Sequence, residues 1–197
     1  MLHSGTVPLD ELPILPFADA AAWEAWLTDE HAHAAGVWLK IAKKDTGIAT
    51  VTYAQALDVA LCFGWIDGQK RGFDATWFLQ RFTPRKARSR WSKVNTEHVA
   101  RLIAEGRMRP AGLAQVEAAR ADGRWEAAYE SQGNATVPPD LQSALDANPA
   151  AASFFATLRG ANRYAILYRV QDAKRPETRA RRIDRFVSML ARGETLP

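Results

Sequence analysis

Cysteine occurs once in the 197 residues, at Cys62, which excludes an internal disulfide and a cysteine-built metal site. A reducing compartment suits such a chain. No window approaches the roughly 20 apolar residues that a membrane span needs, and the opening "MLHSGTVPLDELPILPF" has no basic region ahead of a long apolar run. Neither a spanning helix nor a secretion signal is expected, and the location that follows is a cytoplasm. Histidine is scarce: His31 and His33 lie two apart, which on a helix points them to different faces, and His3 and His98 are remote, so no metal is expected. The phosphate-loop, dinucleotide and nucleophile-elbow signatures are all missing. No cofactor is expected either.

What the chain does have is apolar bulk and unevenly placed charge. Seven Trp and eight Phe, with 47% apolar residues overall, are ample for a packed core. The net charge of +4 hides two basic stretches: residues 65–95 carry +6, residues 174–185 carry +4, and the rest of the chain is −6. Local positive potential attracts an anion, be it phosphate, carboxylate or an acidic protein surface.

Periodicity gives an α+β outline. "DAAAWEAWLTDEH" sets Trp23, Trp26 and Leu27 at helical spacing behind a cap at Asp19, and "VWLKIAK" alternates Val37, Leu39 and Ile41 on one face of a strand. In "TYAQALDVALCFG", Thr52 and Gln55 stand at capping-box spacing, and Gly64 sits where the helix should stop. "WIDGQKR" and "ATWFLQRF" flank "GFD" as a hairpin turning near Phe73 or Asp74, with Trp65, Trp77, Phe78 and Leu79 expected in the core. Pro84 ends that hairpin, residues 83–92 form a basic connection, and Asn95 is expected to cap the next helix. Beyond it the pattern is helical: one helix from Pro110 to Gly123, a polar linker "ESQGNATVPP" suggesting a boundary near residue 135, then three helices. The second of these runs from "AAASFFATLRG" into "RYAILYRVQDA". The expected organisation is an α+β part, 1–135, and a helical part, 136–197, with a small antiparallel sheet.

The candidate site lies in and after the hairpin. Arg81 and Arg85 offer planar bidentate donors that could hold a carboxylate or phosphate near the helix terminus at Asn95, with Ser89, Trp91 and Ser92 as neighbours. The structural alternative is that Arg81 pairs with Asp67 across the hairpin while Arg85, Ser89, Ser92 and Asn95 make local loop and cap bonds. Asp67 could serve as a general base if buried, although an arginine partner would depress its pKa and weaken it. Trp65, Trp77 and Trp91 among basic residues could stack single-stranded bases. "KRPETRARRI" reads equally as an amphipathic helix with a Glu177–Arg181 pair.

Five blocks in order carry a family resemblance: "FGWIDG", "RFTPRK" with "WSKVN" after it, "GRM" followed by "PAG", "GRWEAAY", and "AKRPETRARRI". Together, across residues 17–191, they resemble the YdeI/OmpD-associated, or bacteriocin-protection, family. The resemblance implies a stress or antimicrobial-peptide protection role and a link by name to an outer-membrane porin, and implies no settled reaction or cofactor. The expectation is therefore a cytoplasmic binding protein with an anion-accepting pocket at Asp67, Arg81, Arg85, Ser89, Trp91, Ser92 and Asn95. Its partner would be a small anionic ligand or an acidic protein surface. Nucleic acid on the hairpin and the C-terminal basic helix is the alternative, and an uncharacterised enzyme the second.

Overall fold

A computed structural model describes residues 11–196, of which 49% are helical and 15% lie in strands or bridges. The architecture is α+β. Two compact units form: one comprises the chain up to Trp91 with Asn95–Ala127, the other Ser92–Val94 with Ala128–Pro197.

The first unit holds a four-stranded sheet. Its strands are β1 (Ile14–Pro16), β2 (Val37–Ala42), β3 (Trp65–Gly72) and β4 (Trp77–Pro84), in the order β1-β2-β4-β3. The β3/β4 and β2/β4 pairs are antiparallel as expected, but β1 joins β2 in parallel, so the sheet is mixed. This parallel strand lies in the proline-containing lead, where Pro16 ends an edge strand without leaving a ladder donor unmade. Helix α1 (Ala20–Glu30) crosses between the two parallel strands. Its N-cap is Asp19, whose carboxylate accepts from the Ala22 N–H at 2.8 Å. Helix α2 (Tyr53–Cys62) starts with the Thr52/Gln55 capping box, both halves of which are formed. Two further helices, α3 (Lys93–Ala104) and α4 (Pro110–Ala121), follow the hairpin.

Alternation along the strands sorts their side chains onto two faces. Val37, Leu39, Ile41 and Phe82 share one, which receives Trp23 of α1. Trp23 meets Phe82 at 5.8 Å and Trp65 edge-on at 6.4 Å, and its indole N–H donates to the Ala56 carbonyl. Aromatic bulk thus supplies this core, as the composition implies. The hairpin is only partly core, however: Trp65 and Leu79 are buried, whereas Trp77 is half-buried beneath Lys40 and Phe78 half-buried beneath Lys70.

The second unit is helical: α5 (Pro139–Asp146), α6 (Pro149–Thr157), α7 (Gly160–Asp172) and α8 (Pro176–Ala191). Leu141, Leu145, Phe155, Ile166, Val170, Ile183, Phe186 and Leu190 make its core. Four helices stand where the pattern suggests three, because Leu158 and Arg159 are extended and Gly160 adopts φ +54°, a left-handed conformation that glycine takes at no Cβ cost. The apolar pattern runs on through a break that the backbone makes.

Candidate functional site

The hairpin register decides where the expected site residues go. Asp67 stands opposite Phe82, and a bulge follows between Asp67 and Lys70. Arg81, one residue before Phe82 in β4, therefore projects to the opposite face of the sheet. Asp67 instead accepts a hydrogen bond from the Tyr53 hydroxyl of α2 at 2.9 Å. Burial, and after it the Asp67 carboxylate, raises the Tyr53 pKa above the ordinary tyrosine range. No Asp67–Arg81 ion pair forms among the described residues.

Arg81 lies on the second face of the sheet in an unusual setting. Its guanidinium rests against Gly68, so that a Cβ at that position would come 2.8 Å from Nε and 2.9 Å from Nη2. Its Nε is buried and has no hydrogen-bond partner among the described residues. Its guanidinium carbon lies 5.8 Å from the ring centre of Trp38, the residue opposite it in β2. Two more cations share this face. Arg71 of β3 stacks on Trp38 at 4.1 Å, and the Lys40 ammonium of β2 sits 4.6 Å from both the Phe73 and Trp77 rings. Lys40 and Arg71 both stand opposite Leu79, one from each side, so the three basic residues surround a buried Leu79–Trp38 floor that Leu12 completes. None of the residues that the register assigns to this face is acidic. Cation–π contact anchors the three stems, and a buried donor such as the Arg81 Nε calls for water or an anion as its acceptor.

The other expected residues form a different arrangement. Arg85 is buried with its guanidinium 3.5 Å from the Trp91 ring centre, and its Nη1 donates to the Arg90 carbonyl at 3.1 Å. The Ser89 hydroxyl accepts from the Lys86 N–H, and the Ser89 carbonyl accepts from Arg124 at 2.8 Å. Trp91 is buried against Trp125, with its indole N–H unpartnered among the described residues. Asn95 is the third residue of α3 rather than its cap. The helix begins earlier because Ser92 bridges to Tyr129 and the Lys93 N–H donates to the Tyr129 carbonyl. Arg85, Ser89 and Trp91 thus come together in the connection, Asp67 and Arg81 separate onto opposite faces, and Ser92 belongs to the second unit.

Sequence reasoning did not single out Lys40 and Arg71. The signal was present in "VWLKIAK": if Val37, Leu39 and Ile41 face the helices, Trp38 and Lys40 must share the other face.

Elsewhere, His98 Nδ1 lies 2.9 Å from Asp58, which also takes Arg101 at 2.6 Å. Burial alone would raise the Asp58 pKa, but the hydrogen bonds from His98 and Arg101 hold it below the usual carboxylate range. Among the described residues, no group of three or more His, Cys, Asp or Glu side chains could hold a metal, and no helix is long and apolar enough to cross a membrane. His3 lies outside the described residues.

Residues 15–115 match the family model described as Domain of unknown function (DUF8412), and residues 134–193 match the one described as Bacteriocin-protection, YdeI or OmpD-Associated. No curated protein and no solved structure matches the chain. Of the five sequence blocks, "AKRPETRARRI" falls in the second match and the first three fall in the first, while "GRWEAAY" lies between them. The chain belongs to the DUF8412 family, whose model covers just over half of it, and its C-terminal helices match the bacteriocin-protection, YdeI or OmpD-associated family model.

Proposed function

We propose that the protein is a cytoplasmic binding protein of the stress or bacteriocin-protection kind, and that it takes an anionic group on the second face of its sheet, with Arg81 as the principal donor and Arg71 and Lys40 beside it. One observation supports this reading: the buried Arg81 Nε has no hydrogen-bond partner among the described residues, on a face where the strand register sets Arg71 and Lys40 nearby. A buried donor left unmade costs roughly 1–3 kcal/mol, and an anion that supplies the acceptor recovers it. Gly68 adds support, since the absent Cβ is what lets the guanidinium lie where it does. The connection residues Arg85, Ser89 and Trp91 support the hairpin from the chain that follows it.

Titration calorimetry with sulfate and inorganic phosphate tests the reading. Saturable binding should be lost on Arg81→Gln and weakened on Gly68→Ala, with only a modest effect from Arg179→Ala, because Arg179 is already engaged by Asp140 at 2.9 Å. Binding that survives Arg81→Gln would refute it. A second reading, single-stranded nucleic acid, draws on Phe73, which is 47% exposed beside Lys40 and offers a ring for a base. The salt dependence separates the two. A single anionic group gives a shallow slope, whereas a polynucleotide loses roughly 0.7 log units of affinity per phosphate contacted for each log unit of salt.

A further inference from the structure

The second unit contains a cavity of about 330 Å³, bounded by the segment 132–135 and one face of α7. Gly160, Arg163, Tyr164 and Leu167 form that face at helical spacing, and Gln132 and Gly133 stand across from them. The walls are braced. The Tyr164 hydroxyl donates to the Glu130 carbonyl at 2.9 Å, and its ring packs 5.8 Å from Tyr168, which meets Tyr129 edge-on at 5.3 Å. Arg163 is held by stacking on Phe155 at 4.3 Å, so its charge stays at the cavity wall instead of sweeping through solvent. The Gln132 side-chain nitrogen lies 3.6 Å from the point where a Cβ on Gly160 would stand. No lining residue is acidic, and the carboxylate of Glu130 is engaged by Lys93.

We infer that this cavity binds a small organic anion, with its anionic head on Arg163 and Gln132 and an apolar body against Leu167, Ala135 and the Tyr164 ring. The volume is at the low end for small-molecule sites, which suits one compact ligand and excludes a polymer. Its charge selects the head: a planar guanidinium on a braced wall favours a carboxylate or phosphate in two-point contact over any neutral group. Gln132 adds an amide donor of the same polarity. The start of α7 has no side-chain cap, since Arg159 at the N-cap position carries only donors and gives them to the Ala156 and Leu158 carbonyls, so no side chain takes the first-turn N–H groups beside Gly160. This site shares no residue with the sheet face and stands whether or not that face binds an anion.

The test uses the full chain, isotopically labelled, with benzoate as the organic anion, benzamide as its neutral counterpart and inorganic phosphate as a head group without a body. Benzoate should shift the Gly133 and Gly160 amide resonances saturably, with benzamide and phosphate each weaker by about tenfold or more, the equivalent of about 1.4 kcal/mol. Arg163→Gln should abolish the benzoate shifts. Arg163→Lys, which keeps the charge but not the two-point geometry, should bind with intermediate affinity, and Arg81→Gln should bind as the parent does. The inference is overturned if benzamide or phosphate binds as tightly as benzoate, if benzoate binding survives Arg163→Gln, or if Gly133 and Gly160 show no saturable shift in the millimolar range.

Discussion

Helix α8 and the sheet face use arginine in opposite ways. On and just after α8, three guanidinium groups are matched to carboxylates: Arg179 reaches Asp140 through two nitrogens, Arg182 meets Asp172 at 3.3 Å and Arg192 meets Glu194 at 2.8 Å. On the sheet face of the first unit, Arg71 and Arg81 stand over Trp38, and none of the strand residues that the register assigns to this face is acidic. Both segments read as basic in the sequence, yet the buried Arg81 Nε, unlike the Arg179 guanidinium, has no hydrogen-bond partner among the described residues. Net charge per stretch therefore points to where cations are. The partners, which only the fold reveals, decide whether those cations are structural or available.

The largest test of this contrast is Trp38→Ala. It removes a fully buried ring that is the floor for both arginines, and urea denaturation should show a loss of about 3–5 kcal/mol. A loss below about 1 kcal/mol would mean that the cations do not rest on a packed platform. Arg179→Ala breaks a two-point pair with Asp140 and should cost on the order of 1 kcal/mol, discounted for the half-exposed carboxylate. Arg81→Met, by contrast, deletes a buried donor that has no acceptor among the described residues, so stability should stay within about 0.5 kcal/mol or rise. A large loss from Arg81→Met would show that the guanidinium is structural after all.

Acidity separates the units more finely. Hydrogen bonding to Arg179 holds the Asp140 pKa below its ordinary value, so the pair contributes stability above the unfolded carboxylate pKa, about 3.9, and loses it as pH falls through the lower folded value. Asp140→Asn should therefore flatten the fall in melting temperature below about pH 4 and change little at pH 7 beyond a constant offset. Arg81→Gln has no carboxylate partner to protonate and should leave the shape of that acid limb unchanged. The smallest effect concerns Cys62, whose thiol burial pushes up to about 11; it should resist alkylation at pH 8 until the chain is unfolded.

Local signals made much of the fold legible. Asp19, and Thr52 with Gln55, start helices where their side chains can reach the first-turn N–H groups, and Asp74 turns the hairpin by accepting from the Thr76 and Trp77 N–H groups at 2.8 Å. The candidate site was less legible, for reasons of geometry. A one-residue offset in register moves a side chain to the other face, which is why Asp67 and Arg81, close across the hairpin in sequence terms, never meet. Asn95 has the chemistry of a cap, but the Tyr129 backbone, more than 30 residues away, starts the helix earlier. The cavity was beyond reach for the same reason. It needs "ESQGNATVPP", which reads as a linker, to lie along α7, and no local pattern announces that.

The strand order bears on how the first unit assembles. β3 and β4 are neighbours in sequence and can zip from the Asp74 turn, whereas β2 and β4 are separated along the chain by α2 and β3. Loop closure must precede the reward from such a long-range pair, which makes the docking of β2 a late and comparatively slow event. Until then β4 has one unpaired edge, with Trp77, Phe78, Leu79 and Phe82 along it. A chain released from denaturant at high concentration would be most at risk of self-association in that interval, and dilution during refolding should raise the yield.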